Sequence, residues 1–381
     1  MPGPEFRIRS SLLRRCRVMK SCPLLAYLLA QAAGISTGLC GWAFSRPGWS
    51  YEFPRDHGPH LEFQTEWWYF TGNLKSSCGR DFGFQLTFFR QGVVEPGRDL
   101  PTSSRFLVRD VAFAHFAVSD FRTKSFHHAQ RLSRGAFGEV AFSDRRVRIE
   151  DWSTLRTGDH DFTLQAEDER YGINLTLRAL KPPVVHGESG ISRKAEGPGR
   201  ASHYYSLTRL EATGEVRTRE SVFKVAGLAW FDHEWFTNQL TADQSGWDWF
   251  SIQLEEGSEL MLFQIRDRKG GRDPFSSGTL IAADGSSRKI CDFELEPLRR
   301  WRSPKTGGLY PVAWRLNAAD FELIIEARMD NQELTFEPVV YWEGAVTARG
   351  RRGSSEIRGS GYLEMTGYGG PLAGLQAPES P

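Results

Sequence analysis

The chain has 381 residues, and its 48 lysines and arginines against 47 aspartates and glutamates give a formal net charge of +1. This balance argues against a nucleic-acid partner and against recruitment to an anionic membrane by overall charge. With 40% hydrophobic and 25% charged residues, the composition is that of a soluble globular protein with room for about two domains.

The first predicted element is a secretory signal peptide over residues 1–33. Residues 7–20 carry six basic residues and no acidic residue, and the apolar stretch of residues 22–33 contains the small-residue pattern Ala30-Gln31-Ala32. That stretch is shorter than the roughly 20 residues that span a bilayer. We therefore expect a secreted or periplasmic protein that meets membrane export machinery and has no transmembrane span.

From residue 41 onward, apolar and polar residues alternate with a period of two. Residues 81–88 place four apolar side chains on one face of a strand. The same alternation recurs at residues 162–166, 173–179, 261–265 and 310–316. Turn-forming residues separate these runs, and a longer Gly- and Ser-rich loop is expected at residues 182–202. The pattern predicts an all-β protein with two antiparallel barrels or sandwiches, placed at residues 41–235 and 236–370.

No motif predicts a metal or a cofactor. The sequence lacks the phosphate-binding G-x-x-x-x-G-K-[ST] loop and the zinc-binding H-E-x-x-H motif. Asp232-His233-Glu234 is a poor chelating group on a strand, because neighbouring side chains point to opposite faces. Beyond the signal peptide, the three cysteines are too scattered for a cysteine-rich zinc site.

Three clusters of polar and aromatic residues are candidates for a ligand site. The first is the strand that opens with Glu66-Trp67-Trp68-Tyr69, which also fits an aromatic core strand. The second is WFDHEW at residues 230–235, in which only His233 and Trp235 project together from a strand. A histidine between two carboxylates and near two tryptophans indicates function, although it also fits a structural role.

The third candidate is GWDWF at residues 246–250, in which Asp248 lies between Trp247 and Trp249. Neighbouring indole rings disfavour the ionised form of the Asp248 carboxylate unless a hydrogen-bond donor stabilises it. The pKa of Asp248 is therefore expected to rise toward that of a general acid. The alternative is a surface aspartate on an exposed pleat.

These motifs resemble the hydroxyneurosporene synthase (carotenoid 1,2-hydratase) family and its exported AttH-type members, which are often labelled secreted hydrolases. The matching strings lie in the same order between about Phe53 and Gly370 and are FPRDHGPH, TEWWYFTGNL, ASHYYSLTRL, DHEWFTNQL, GWDWFSIQL, YWEGAV and GSGYLEMTGYGG. The resemblance implies two lipocalin-like β-barrels that act on apolar isoprenoid chains. It places the family's H-x-W motif on His233 and Trp235 and its acidic residue on Asp248, while Gly246 replaces the tyrosine expected two positions earlier.

The residues and the resemblance together predict acid-catalysed addition of water to a C=C bond of an apolar ligand. Asp248 is the expected general acid, and His233 is expected to orient or deprotonate the water. Aromatic faces that stabilise the cation are expected from Trp235, Trp247 and Trp68. The remaining expected ligand contacts are Glu66, Trp67, Tyr69 and Trp249.

Two other functions stay open on sequence grounds. A non-catalytic carrier of a lipophile would use the same fold and would keep Asp248 and His233 as a buried structural pair. A secreted hydrolase of an apolar ester would need an oxyanion hole, which no motif in the sequence predicts.

Overall fold

The computed structural model describes residues 41–98, 107–135, 138–318, 320–336 and 339–370. The predicted signal peptide, residues 1–33, lies outside these ranges. The described residues form 23 β-strands and one short 3-10 helix, Arg55–His57. Within these ranges, no helix is long and apolar enough to cross a membrane.

The first sheet is antiparallel and contains thirteen strands. In chain order they are β1 (Thr65–Ser76), β2 (Asp81–Gly92), β3 (Asp110–Asp120), β4 (Ser125–Ser133), β5 (Val140–Phe142), β6 (Arg146–Ile149), β7 (Trp152–Arg156), β8 (Phe162–Glu167), β9 (Gly172–Ala179), β10 (Val184–Val185), β11 (Ser192–Arg193), β12 (Ala201–Arg217) and β13 (Val222–Phe236). Neighbours follow the order β4-β3-β2-β1-β13-β12-β9-β8-β7-β6-β5, and β10 and β11 pair with β12.

The second sheet is antiparallel and contains ten strands. In chain order they are β14 (Gln244–Leu254), β15 (Glu259–Asp267), β16 (Ser277–Ile281), β17 (Ser287–Ile290), β18 (Phe293–Arg302), β19 (Leu309–Ala318), β20 (Phe321–Ala327), β21 (Glu333–Phe336), β22 (Val339–Arg352) and β23 (Ser355–Thr366). Neighbours follow the order β17-β16-β15-β14-β23-β22-β20-β19-β18, and β21 pairs with β22.

These two sheets confirm the prediction of an all-β protein with two antiparallel barrel or sandwich domains. The chain crosses from the first sheet to the second between Phe236 and Gln244. The predicted division into residues 41–235 and 236–370 stays a prediction.

Strands near the junction of the sheets are buried on both faces. On β13, Phe231 packs in the core of the first sheet, whereas Trp230 packs in a separate cluster between the sheets. On β14, Phe250 belongs to the second core, whereas Trp249 belongs to the cluster between the sheets. Because successive side chains on a strand point to opposite faces, each of these strands serves one barrel core and the space between the barrels.

Charged and polar contacts also join the two sheets. Lys181 Nζ lies 2.7 Å from Glu259 Oε2, and Arg209 Nε donates to the other oxygen of the same carboxylate. Asn73 Nδ2 donates to the carbonyl oxygen of Gly361 over 3.1 Å. These contacts fix the two barrels against one another, so the space between them has a defined shape.

Candidate functional site

A cavity of about 200 Å³, partly open to solvent, lies between the two sheets. Its walls come from β1, β2, β3, β13 and β14 and from the paired strands β22 and β23. The aromatic residues of its lining include Trp67, Tyr69, Phe89, Phe113, Trp247 and Trp249. Ligand sites in proteins are mostly apolar concave pockets with a few placed polar groups, and this cavity has that character.

Four carboxyl groups lie in this largely aromatic wall. Asp232 and Glu234 project from β13, Glu343 from β22 and Glu364 from β23. Glu343 and Glu364 are directly opposite one another on the paired strands. Asp232, Glu234 and Glu343 are buried, and Glu364 is the most accessible of the four. Burial raises the pKa of Asp232, Glu343 and Glu364 and so favours their protonated forms.

Asp232 is held by three hydrogen-bond donors. Tyr204 Oη donates to Oδ2 over 2.6 Å, Trp230 Nε1 donates to Oδ1 over 2.5 Å, and Ser206 Oγ also donates to Oδ1. Burial raises the pKa of Asp232 to about 7, although these three hydrogen bonds act in the opposite direction. Asp232 is therefore able to hold or release a proton near neutral pH.

Within the described parts of the chain, Glu364 has a single hydrogen-bond donor, Trp247 Nε1, which lies 2.8 Å from Oε1. Burial raises the pKa of Glu364 to about 7, and the nearby charge of Asp232 raises it further while the Trp247 hydrogen bond lowers it. Since Glu364 lines the cavity and is only partly buried, its carboxyl group can contact a molecule bound there.

Glu234 is the carboxylate of this group that has a cationic partner. Lys194 Nζ lies 3.4 Å from Glu234 Oε1, and Gln239 Nε2 donates to the same oxygen over 2.8 Å. Burial lowers the pKa of Lys194, and the charge of Glu234 opposes this effect. Lys194 comes from the segment predicted as a long loop at residues 182–202, which brings it to the cavity wall.

The AttH-like family model matches residues 45–368 of this chain. The chain belongs to the AttH-like family. The predicted resemblance to AttH-type proteins is thereby confirmed.

Solved structures share the fold of this AttH-like protein. A protein of Nitrosomonas europaea assigned as AttH is 36% identical, with 86% of this chain and 99% of that chain covered and a TM-score of 0.78. Kievitone hydratase from Nectria haematococca is 15% identical, with coverages of 84% and 93% and a TM-score of 0.66. CghA is 13% identical, with coverages of 88% and 97% and a TM-score of 0.51. The last two show the fold alone, and no curated protein matches the sequence.

Four of the residues predicted for the site line the cavity of this AttH-like protein, namely Trp67, Tyr69, Trp247 and Trp249. The other five predicted residues lie elsewhere. His233, Trp235, Glu66 and Trp68 face the interior of the first barrel, and Asp248 faces the interior of the second.

His233 is fully buried in a polar network inside the first barrel. Its Nε2 lies 2.9 Å from Glu66 Oε1, and its Nδ1 lies 3.0 Å from the carbonyl oxygen of Asp56. Trp68 stacks on the His233 ring with centroids 4.7 Å apart. Trp235 stacks on His60 with centroids 3.7 Å apart. These aromatic contacts hold the imidazole of His233 away from the cavity between the barrels.

Asp248 is also fully buried, on the face of β14 opposite Trp247 and Trp249. Its Oδ1 lies 2.5 Å from Arg266 Nη1 and accepts a hydrogen bond from Tyr368 Oη over 3.0 Å. Burial raises the pKa of Asp248, whereas the Arg266 charge lowers it. The structure therefore does not bring Asp248 and His233 to one cavity, and a catalytic role for either stays a prediction.

One group of side chains among the described residues could hold a metal ion. The ligand atoms of His60, Glu66 and His233 all lie within 4.8 Å of one another. Glu66 already accepts hydrogen bonds from His60 Nδ1 and His233 Nε2, each over 2.9 Å, and Arg90 Nε lies 3.3 Å from its second oxygen. Both oxygens of Glu66 therefore already have hydrogen-bond partners within the protein.

The four carboxyl groups of the cavity and Lys194 were not predicted from the sequence as site residues. Asp232 and Glu234 flank His233, and the period of two that paired His233 with Trp235 also places these two acids together on the opposite face. Glu343 and Glu364 are each the single acid of a largely apolar stretch, residues 339–346 of β22 and 361–365 of β23, and this isolation was the available signal.

Proposed function

We propose that this AttH-like protein binds an apolar ligand between its barrels and adds water to a C=C bond of that ligand by acid catalysis. The observation that carries the proposal is the presence of two carboxyl groups, Asp232 and Glu364, with pKa values raised to about 7 in an aromatic cavity. Membership of the AttH-like family and a fold shared with a hydratase agree with it. The predicted signal peptide adds the proposal that the reaction takes place outside the cytoplasm.

Glu364 is the proposed proton donor. Among the described residues it has one hydrogen-bond donor, Trp247, and in its protonated form it presents an O–H group to the cavity. General acids work best when their pKa lies near the working pH, and a carboxyl group at about 7 meets this condition. The proton forms a C–H bond at one alkene carbon and leaves a carbocation at the other.

The indole rings of the cavity would stabilise that carbocation. Trp67, Trp247 and Trp249 all line the cavity, and Trp247 contacts the carboxyl group of Glu364. A cation held over an indole face away from water gains about 2 kcal/mol. The apolar walls also limit the number of water molecules that reach the cation, so one placed water adds to it.

Asp232 is the proposed acceptor of the proton that this water loses. Its ionised form is supported by the donors Tyr204, Ser206 and Trp230, so that it can take a proton as the new C–O bond forms. The carboxylate of Glu364 then regains a proton from solvent, and Asp232 releases one. The balance is one alkene and one water consumed for each alcohol formed.

The substitution Glu364→Gln tests this assignment, because it keeps the shape of the side chain and removes its acidic proton. Squalene and other isoprenoid alkenes are incubated with the protein in ¹⁸O-labelled water, and labelled alcohol is measured by mass spectrometry. We expect Glu364→Gln to lower the rate at least 100-fold. Asp248→Asn is the matched control and should retain more than a tenth of the rate, provided that its thermal unfolding shows a folded protein.

Two outcomes would overturn the proposal in different ways. If Asp248→Asn abolishes turnover and Glu364→Gln does not, the proton donor lies in the second barrel, as the sequence predicted. If wild-type protein binds isoprenoids and forms no labelled alcohol from any of them, the protein is a carrier, since a carrier needs the same apolar cavity but no proton transfer.

A further inference from the structure

We propose that His186 is a positioning residue that acts through Ser206 to hold the carboxylate of Asp232 in place for proton acceptance. The inference rests on the proposed function, because Asp232 is the group proposed to take a proton from the attacking water. The side chain of His186 does not belong to the cavity wall formed by the described residues. Its role is therefore to orient Asp232, and it does not contact the ligand.

His186 is enclosed where the two sheets meet, and its residue surface is 1% exposed. It follows β10, and its backbone N–H donates to the carbonyl oxygen of Tyr204 on β12 over 2.9 Å. Its Nδ1 lies 2.8 Å from Thr279 Oγ1 on β16, and its Nε2 lies 2.7 Å from Ser206 Oγ on β12. Thr279 belongs to the second sheet and Ser206 to the first, so the imidazole bridges the two sheets.

Ser206 connects His186 to Asp232. Ser206 and Asp232 are directly opposite one another on β12 and β13, and Ser206 Oγ donates to Asp232 Oδ1. Because the single hydroxyl proton of Ser206 is used in that hydrogen bond, its contact with His186 needs a proton on Nε2 of the imidazole. His186 thus fixes the direction in which the Ser206 hydroxyl points.

The tautomer of His186 follows from these contacts. Burial and the charge of Lys194 lower the pKa of His186 to about 3, so the ring is neutral at pH 7 and carries one N–H. With that N–H on Nε2, the Nδ1 atom is an acceptor and receives the hydroxyl proton of Thr279. The three hydrogen bonds therefore run in one direction, from Thr279 through His186 and Ser206 to Asp232.

His186 also packs against a second donor to Asp232. The rings of His186 and Tyr204 have centroids 4.4 Å apart, and Tyr204 Oη donates to Asp232 Oδ2 over 2.6 Å. Trp249 Nε1, on the second sheet, donates to Tyr204 Oη over 3.0 Å. Each oxygen of Asp232 is therefore oriented by a chain of hydrogen bonds that begins on the second sheet. A group held in this way is preorganised for proton transfer.

Imidazole ¹⁵N NMR of the full chain, labelled at histidine, tests the chain of hydrogen bonds without any ligand. The His186 resonances are identified by their loss in His186→Gln. In wild type at pH 7 we expect a neutral ring with its proton on Nε2. In Asp232→Ala, Ser206 loses its acceptor and can donate to Nε2, so the His186 proton should move to Nδ1 in a measurable fraction of molecules. A charged ring or an Nδ1–H tautomer in wild type, or a ring that Asp232→Ala leaves unaffected, would show the inference to be wrong.

Turnover of isoprenoid alkenes in ¹⁸O-labelled water measures the effect on the proposed reaction. His186→Asn keeps a polar group beside Thr279 and does not reach Ser206, so kcat should fall about tenfold while KM changes by less than about threefold. His186→Gln can place an amide N–H at the position of Nε2, and its kcat should stay within about threefold of wild type. If both variants lose kcat equally, the histidine only joins the sheets and the positioning role is refuted.

A double variant separates action through Ser206 from a general loss of stability. Ser206→Ala should lower kcat at least as much as His186→Asn, and the two changes together should lower it no further than Ser206→Ala alone. Losses that multiply in the double variant would show that His186 does not act through Ser206.

Thr279→Val gives a test that leaves His186 unchanged, in case variants of His186 do not fold. It removes the hydroxyl that holds Nδ1 as an acceptor, so we expect a mixture of the two His186 tautomers and a partial loss of kcat. The wild-type tautomer together with full kcat would contradict the inference.

Failure of this inference and failure of the proposed function give different results. If Asp232→Ala changes the His186 tautomer and no alkene is hydrated by wild type, the link between His186 and Asp232 stands and the hydratase assignment falls. If wild type hydrates alkenes and the His186 ring does not respond to Asp232→Ala, the hydratase assignment stands and the positioning role falls.

Discussion

The four carboxyl groups of the cavity differ in the number and kind of their partners. Among the described residues, Glu234 lies beside a lysine, Asp232 accepts hydrogen bonds from three neutral donors, Glu364 accepts from one, and Glu343 interacts with the Tyr69 hydroxyl. Because burial favours the neutral form of a carboxyl group and donors favour the ionised form, Asp232 with three donors is suited to accept a proton and Glu364 with one donor is suited to give one up. Residues of similar chemistry thus acquire the separate proposed tasks of proton acceptor and proton donor.

The raised pKa of Glu364 predicts a pH-dependent cost to stability. Its folded pKa is about 7 and its ordinary value is 4.5, so the native state holds a proton that the unfolded state releases between these pH values. Stability from this group therefore falls as pH rises from about 4.5 to about 7, and it is constant above that window. Glu364→Gln does not titrate, and we expect it to be about 1–3 kcal/mol more stable than wild type at pH 8 and nearly equal at pH 4.

Urea unfolding of both proteins at pH 4, 6 and 8 measures this difference. Glu356→Gln, at an exposed position of β23, is the control and should show no pH-dependent difference from wild type. A Glu364→Gln protein that is less stable than wild type at pH 8 would contradict the prediction. Such a result would mean that interactions in the folded protein stabilise the ionised carboxylate of Glu364. Glu364 would then not be the proton donor.

Strand β13 shows which features of the structure the sequence could and could not predict. Alternation identified the strands and the fold class, and it placed His233 and Trp235 on one face. Every residue from Ala229 onward in this strand lies below the surface, because one face packs in the first barrel and the other meets the second. Alternation of apolar and polar residues distinguishes the two faces of a strand only where one face is exposed to water. Since both faces of this part of β13 are buried, the pattern could not identify Asp232 and Glu234 as residues of the cavity.

Strand β23 combines glycines that allow close packing with the cavity residue Glu364. It lies between β14 and β22, and a Cβ at Gly361 would come within 1.8 Å of the carbonyl oxygen of Ser251. The neighbouring atom is backbone, so β14 and β23 would have to separate. We expect Gly361→Ala to destabilise the protein by about 2 kcal/mol or more.

Gly370→Ala is the matched control for this substitution, since a Cβ at Gly370 meets nothing within 4 Å. Thermal unfolding of the two variants measures the contrast. Activity per folded molecule should also fall in Gly361→Ala, because β14 and β23 carry Trp247 and Glu364 to the cavity. Equal melting temperatures of the two variants would show that the sheet absorbs the extra methyl group, and the packing argument would be wrong.

At the scale of the whole molecule, the cavity belongs to neither barrel alone. Asp232 comes from the first sheet and Glu364 from the second, so the distance between the two proposed proton-transfer groups depends on how the barrels are docked. Catalytic groups must be held within a fraction of an ångström of their working positions. Contacts that join the barrels are therefore expected to affect turnover even where they lie outside the cavity.

Glu259 is the best place to test this dependence on docking. Its fully buried side chain receives Lys181 and Arg209, and Lys181 also donates to the carbonyl oxygens of Gly257 and Ala282. Removing one partner of a buried ion pair leaves an uncompensated charge and costs about 3–5 kcal/mol. Glu259→Gln should therefore lower the melting temperature by several degrees and reduce turnover while the protein is still folded.

Glu211→Gln is the matched control, because it breaks the exposed pair with Arg178. It should change stability by less than about 1 kcal/mol and leave turnover unchanged. If Glu259→Gln loses stability but retains full turnover per folded molecule, the barrels are positioned by the apolar cluster between them, and the ion pairs only add stability.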